Sequence, residues 1–514
     1  MSIGVGMEAL DHEWKKTCKI LLGDEVGDLN SFHDYLSSKC AFLPVDKQGL
    51  WVVPEYERGR NFIPYDKVGI APKFEPLSIN EVKDIDSIVN AIQERVVYVG
   101  NVTQGRCANV YASTNVVDSF NVYMSRDIQS SKNVAYSAFI SSCENAFGIS
   151  STSITNFAIG SSFMGGDPNN RIFESVVVAG SSDIYFSATI MYCSDVMFSF
   201  GLRNKRYVIG NNQLSREKYA QIKNHLIEQI RHEFEDKRGI EGIYDLLSKP
   251  IRSEIEKIDE SKLHALEPEN KEAIDSAWRS ASRILLNGEL GPVDEYEHFL
   301  TKDLLDNIAE SRSVASGRPV YYLPKLWNAH RYAHRIVNWD EVFILGDIIK
   351  ADINTLADRD NLNPFVSFDA KERYVNSIKS VCPHNSQNVY ACGDAADLKN
   401  AAYTIWSSKG NNLFGCFMAQ ASSFCINVYS SSKLVRGFEC DACSSSSDIF
   451  FSHAVENSSN VMFSFGVRAG KYVIGNAQYS PDKYKQIKDS LVEQIYNELV
   501  ERKDLRYSVY NMVV

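Results

Sequence analysis

The sequence predicts an α+β protein containing two β-solenoid (β-helix) domains with about 12 residues per coil, in a tandem duplication of a unit of roughly 250 residues. Two observations carry this prediction. Residues 194–230 and 459–495 match at 24 of 37 positions with no gap, far beyond chance. From Asn109 the chain also repeats every six residues: Asn or Asp, then Val or Ile, two variable residues, Ser or Cys, and one more variable residue. Asn109, Asn115, Asn121, Asp127 and Asn133 head successive hexads, with Ser113, Ser119, Ser125, Ser131 and Ser137 at the fifth place.

A short fixed period marks a solenoid, whose coils bury their inner faces only by stacking on one another. Val and Ile with small Ser or Cys suit a narrow interior. Asn and Asp at the hexad heads suit corners, because their side chains bond local backbone and tolerate turn conformations. The aromatic and Asn positions recur most clearly every twelve residues, so two hexads form one coil.

The modules follow in order. Residues 1–95 are an α+β module, with a first helix around Trp14, a strand-like piece at 49–53 and a second helix over 80–94. Residues 96–213 are the first solenoid. Residues 214–264 hold a capping helix over 216–236, with Tyr219, Ile222, Leu226 and Ile230 at helical spacing, and a charged connector expected to be helical. Residues 265–365 repeat the α+β module, where Trp278 faces Trp14, Leu300 faces Leu36 and Val342 faces Val68. Residues 366–478 are the second solenoid, and 479–514 the second capping helix (481–502) and tail. The cap is expected to close the open last coil, since exposed strand edges invite aggregation.

Composition narrows the function classes. A net charge of −11 without a Lys/Arg cluster argues against nucleic acid as partner. No stretch approaches the ~20 apolar residues of a membrane span and no secretion signal opens the chain, which predicts a cytoplasmic protein of its host's cytosol with no membrane partner. Eleven cysteines, an odd number, are expected to be free thiols. Cys392, Cys416 and Cys440 share one hexad column, where the first copy has Ser125, Ile149 and Ser175, and so read as small core residues.

No catalytic, cofactor or metal residue is expected. Cys440 and Cys443 look like half a zinc knuckle, but a structural zinc needs four ligands and no second pair exists. His330 and His334 share a helical face without the Glu of a metalloprotease helix and without a counterpart in the first copy. Arg58-Gly59-Arg60 is likewise absent from the second copy. Hexapeptide acyltransferases space their aliphatic and small residues four apart, whereas here Val and Ser stand three apart. An ice-binding face would need a regular Thr array. Carbohydrate-cleaving β-helices need paired carboxylates, while Asp118, Asp127, Glu174, Asp394 and Glu439 are scattered along the sequence.

Phe200-Gly201-Leu202-Arg203, Tyr207, Gly210-Asn211, Gln213 and Ser215 with Tyr219 form a motif that the second copy shares. This stretch resembles a family of cysteine-rich short-repeat β-solenoid proteins of uncultured bacteria and archaea and of large phages, often labelled "caib/baif family". The resemblance covers the two solenoid-plus-helix regions, about half the chain. It implies a fold and a setting in a virus or another large assembly. Ser stands where that family usually has Cys, and the family's cysteine pairs are missing, so metal binding is not carried over.

The expectation is therefore a non-enzymatic structural or interaction protein, a rigid duplicated β-solenoid within a large assembly such as a phage virion (capsid, decoration or tail part). Its partners would be other proteins of that assembly or further copies of itself. The alternative is a carbohydrate-binding or carbohydrate-cleaving β-helix protein. An outward column of aromatics supports the first reading: Tyr111, Tyr123, Phe147, Phe173 and Tyr185, with Tyr390, Phe414, Phe438 and Phe450. Those rings would form an interface unless the flanking modules cover them.

Overall fold

The structure, a computed structural model, describes residues 3–69, 74–165, 167–249, 270–326 and 434–512, with shorter pieces between. The chain forms two compact units that do not follow sequence order. The first consists of Met1–Pro54, Asn101–Ala265 and Glu310–Ala370; the second of Glu55–Gly100, Leu266–Ala309 and Lys371–Val514.

In the first unit the chain alternates between a ten-stranded and a nine-stranded sheet, giving β-helix-like stacking. Strands pair in parallel with partners twelve residues on: Val110 with Val122, Val122 with Val134, Val116 with Ile128. At the loop 165–168 the step grows to fourteen (Ile172 follows Ala158) and then returns to twelve. The two extra residues are thus absorbed in one turn without losing register, which would otherwise turn the apolar face outward.

The hexad reflects a backbone constraint as well as a packing one. Asn109, Ala112, Asn115, Asp118, Asn121, Met124 and Asp127 all have φ between +43° and +56°, so every third residue is left-handed. Most L-residues resist this conformation and Asn and Asp tolerate it best. The Asn side chains also form a ladder along the stack: Asn109 donates to Asn121, Asn121 to Asn133 and Asn133 to Asn145, each at 2.8 Å. Between the sheets, Val116, Val122, Ile128, Val134, Ile184, Ile190 and Val196 are all fully buried. Each contributes about 1.5–3 kcal/mol of burial.

The Ser column does more than fill space. The Ser125 hydroxyl donates to the Tyr123 carbonyl (2.8 Å) and accepts the Ser137 N–H of the next turn (3.1 Å). Ser175 and Ser187 repeat the pattern, so each hydroxyl accepts a buried N–H of the next turn and adds a second bond to a carbonyl that already accepts a backbone N–H. A thiol fits the same place: Cys143 Sγ donates to the Ser141 carbonyl (3.2 Å) and accepts the Thr155 N–H (3.4 Å).

The aromatic column points away from the stack interior, as expected, but most of it is covered: Tyr111 and Tyr123 are half-buried, and Phe147, Phe173 and Tyr185 are buried. Phe147, Phe173, Tyr185, Met197 and Ile209 join Leu10, Trp14, Cys18 and Leu21 of the helix Ile3–Leu22 in one buried cluster with Tyr219, Leu226, Ile230 and Phe234 of the helix Arg216–Lys237. This second helix, expected over the last coil, runs along the face of the ten-stranded sheet. It starts at the Ser215 N-cap and stops at Arg238, which is left-handed (φ +52°). The connector beyond is not one continuous helix: a short helix, Ile243–Ser248, follows, and most of 250–269 lies outside the described residues.

The end of the stack is closed by the shared Gly-Asn motif. Val208 and Ile209 pair antiparallel with Gln213 and Asn212. Gly210 (φ +57°) and Asn211 (φ +59°) form the two-residue turn, as a type I′ hairpin requires. Asn211 then uses its amide as a strand substitute on the other sheet, accepting the Phe200 N–H (2.8 Å) and donating to the Phe200 carbonyl (2.9 Å). One short motif therefore ends both sheets.

The second unit contains a five-stranded sheet from Val435–Asp441 to Ala477–Gln478, with the same twelve-residue register (Ile449 with Val461, Val461 with Val473) and the same antiparallel end. Asn476 brackets the Phe465 N–H and carbonyl at 2.7 Å each. Two more parallel pairs, Val375–Ile378 with Gln387–Tyr390 and Val381–His384 with Gly393–Ala396, keep that register. The helices Glu272–Leu286 and Pro481–Arg502 accompany this stack, and Tyr390, Phe414, Phe438 and Phe450 are buried. Trp278 meets Phe414 edge-on at 5.1 Å.

Candidate functional site

Polar side chains withdrawn from water are where chemistry would be sought, and two such places stand out, one in each unit. In the first, Glu174 is fully buried and left-handed (φ +46°). Its Oε1 lies 2.5 Å from Lys39 Nζ and accepts the Tyr35 hydroxyl, while Oε2 accepts the Ile243 N–H at 3.0 Å. Burial, and then the neighbouring Glu174, push the Tyr35 phenol well above its ordinary value. Gly242 is needed here, because a Cβ would collide with Glu174 Oε2 and Lys39 Nζ. The carboxylate fastens the chain that follows the helix Arg216–Lys237 and the chain around Lys39 to the turn after the strand Asn169–Phe173.

In the second unit Glu439 holds the matching position, also fully buried with φ +52°. It accepts the Val509 N–H at 3.1 Å, from the tail beyond the helix Pro481–Arg502. Val509-Tyr510 and Ile243-Tyr244 are therefore alike in sequence, in distance from the preceding helix and in partner.

Beside Glu439 lies an Asp-His-Tyr cluster. His453 Nδ1 donates to Asp441 Oδ2 at 2.9 Å, the Tyr56 hydroxyl donates to the same oxygen at 2.7 Å, and His453 Nε2 accepts the Val99 N–H at 3.1 Å. The imidazole is fully buried against Tyr56 and Tyr98. The composition resembles a catalytic triad, but general base catalysis needs a ring nitrogen within reach of a substrate proton. Both nitrogens here already have partners. Asp441 and His453 are strand neighbours twelve residues apart, where the first stack has Val176 and Ala188. Sequence reasoning misses this pair, although one coil spacing between an Asp and a His is its available signal.

A third polar feature follows the sheet edge at matching positions. Arg171 grips Asp183 through two bonds (2.9 and 2.5 Å), and Arg436 grips Asp448 likewise (2.8 and 2.6 Å). Burial alone would raise the Asp183 carboxyl, but Arg171 and Lys223 outweigh it and hold it below the usual carboxylate range.

The other candidate residues are dispersed. Asp118 is exposed and accepts the Arg106 N–H, whereas Asp127 is buried with Arg126 (2.6 Å). Arg58 and Arg60 are exposed. Cys440 and Cys443 are buried and donate to backbone carbonyls as the serines do, and Cys416 is buried too. Burial pushes the Cys143 thiol up to about 11 and Cys40 up to about 12, which leaves them poor nucleophiles at neutral pH. Among the described residues no group of three His, Cys, Asp or Glu is placed to hold a metal ion. No helix of the described residues is long and apolar enough to cross a membrane. His330, His334, Cys392 and the Asp394 side chain lie outside the described residues.

Comparison with models of protein families, with curated proteins and with solved structures gives no match.

Proposed function

We propose that this chain is a non-enzymatic structural or interaction protein, a tandem duplication carrying two rigid β-solenoids that serves within a large assembly such as a phage virion. The observation that carries this reading is where the reactive groups are spent. Glu174, Glu439 and the Asp441-His453-Tyr56 cluster each tie a distant stretch of chain to a stack. Matching positions keep a fastening role while the neighbouring residues change, which is the behaviour of a scaffold. A stack whose every coil hydrogen-bonds to the next also resists bending, as a spacer must. The covered aromatics Phe147, Phe173 and Tyr185 are taken out of any docking surface.

The test is the mass of the purified protein by light scattering, together with its co-purification from source lysate. Recovery in a stoichiometric high-mass particle supports the reading, and recovery solely as a free monomer opposes it. A polysaccharide depolymerisation screen separates the carbohydrate alternative. Turnover abolished by Glu174→Gln in a still folded protein would replace the structural reading with an enzymatic one.

A further inference from the structure

The two compact units exchange equivalent pieces of chain. Glu55–Gly100, from the N-terminal half, belongs to the unit built on the C-terminal stack; Glu310–Ala370, from the C-terminal half, belongs to the unit built on the N-terminal stack. We propose that each stack carries a docking surface for the corresponding segment of the other repeat, so that the two halves hold each other without needing the connector between them.

The contacts of the first exchanged segment are specific. Its Tyr56 and Val99 engage the Asp441-His453 pair, Tyr65 donates to Glu456 (2.8 Å), Arg95 donates to the Gly475 carbonyl (2.6 Å) and Tyr98 donates to the Val509 carbonyl (2.9 Å). Tyr56, Ile88, Val89 and Tyr98 are at most 4% exposed, so the segment contributes core as well as polar anchors. Such burial, together with the polar bonds to the second stack, makes that stack its folding partner.

The second segment docks in the mirrored way. Phe62–Pro64 pairs in parallel with Tyr98–Gly100 in one unit, and Ile336–Val337 pairs in parallel with Val366–Ser367 in the other. In the second unit Gly69 donates to the Gly466 carbonyl (3.0 Å) and Tyr98 meets the Phe465 ring at 6.1 Å. In the first, Val366–Ser367 runs beside Phe200–Arg203 and Ala188–Met191. Phe465-Gly466 and Phe200-Gly201 are the same two positions of the 37-residue match. Both exchanged segments therefore meet the same positions of their host stacks. A repeat standing alone would lack the segment that completes it, and the partner of fitting chemistry is a second repeat. This gives a physical reason for two copies in one chain: the covalent link keeps the complementary pieces at an effective concentration in the millimolar range.

The test uses the full chain with a site-specific protease sequence inserted after Ser261, an exposed position in the connector. After cutting, native mass spectrometry and size exclusion at about 1 μM, three orders below the effective concentration of a short linkage, should find both pieces in one species of unchanged mass that separates only in denaturant. Two pieces migrating apart under native conditions would overturn the proposal. Should the insertion itself unfold the protein, hydrogen exchange on the unaltered chain decides. Amides of 88–99 should open together with 449–461, and opening in step with 116–190 instead would sink it.

Discussion

Glu174 and Glu439 hold the same place in the two stacks and fasten the same kind of tail, but their surroundings differ in charge. Around Glu174 the sequence places Tyr35 and Lys39, and both side chains bond the carboxylate. At the matching positions of the second half stand Phe299 and Asp303. Burial pushes the Asp303 carboxyl above its ordinary value, where Lys39 offers a cation. The backbone bond to the tail is kept while an aspartate stands at the position of Lys39. What both halves preserve is attachment of the tail, and the charged neighbour is one of several ways to accommodate a buried carboxylate.

The comparison can be broken most sharply at Lys39. Replacing Glu174 with Gln leaves an ammonium that is largely withdrawn from water without its partner, and should cost about 3–5 kcal/mol, measured as loss of exchange protection in the first unit. Glu439→Gln, in the half where Asp303 stands at the position of Lys39, should cost less. Equal losses would mean that the tail bond, and not the ion pair, dominates both sites.

The Ser columns offer a second, smaller contrast. Ser187→Ala orphans the buried Ser199 N–H and removes one of the two bonds to the Tyr185 carbonyl, and should cost about 1–3 kcal/mol in denaturant unfolding. Ser175→Cys, which copies the Cys440 of the other stack, should stay within about 1 kcal/mol, because a thiol serves the same two groups at Cys143. A cysteine variant as damaging as the alanine would show that the column works by volume alone.

Next come the stack ends. Asn476→Ala removes two bonds to Phe465 and should cost about 1–2 kcal/mol, with a rise in aggregation on mild heating as strand edges open. Asn211→Ala should behave the same in the first unit, and a large difference between the two would mean that other chain covers one of the ends.

The smallest effect is a pH dependence of opposite sign in the two units. Asp183 is held below its unfolded value, so its contribution is present above about pH 4, near the unfolded pKa, and is lost as pH falls further. Asp303 is raised above its unfolded value, so its contribution is fully present below about pH 4 and is lost as pH rises through the folded value. Exchange protection around 299–303 should therefore increase from pH 7 towards pH 4, and Asp303→Asn should flatten that profile. A profile unchanged by the substitution would remove Asp303 from the account.

Much of the local architecture is legible in the residues alone. The twelve-residue register, the buried Val and Ile, the Asn and Asp at left-handed positions and the small Ser/Cys column all appear where the hexad puts them. Each is set by residues close in sequence and repeated often, so the pattern reports the geometry directly. The trailing helices too run almost as their apolar spacing indicates, 216–237 and 481–502. Their location is less legible: amphipathic spacing shows that a helix covers something, while the choice between a stack end and a sheet face depends on the Gly210-Asn211 hairpin having already closed the end. The fastening role of Glu174 and Glu439 is equally hidden, because a lone carboxylate at a repeat position looks the same in sequence whether it faces water or a backbone N–H far along the chain.

The sequence sets the coil, its corners and its terminal motif, since these rest on φ preferences, side-chain volume and hydrogen bonds between residues two or twelve apart. Tertiary structure alone settles which aromatics are covered, which groups bond the buried Glu174 carboxylate, and which unit receives the segments 55–100 and 310–370. Burial is a property of distant neighbours, and two similar stacks present similar surfaces to both segments. Particular partners, among them the Tyr56 hydroxyl on Asp441 and the Val99 N–H on His453, distinguish one host from the other.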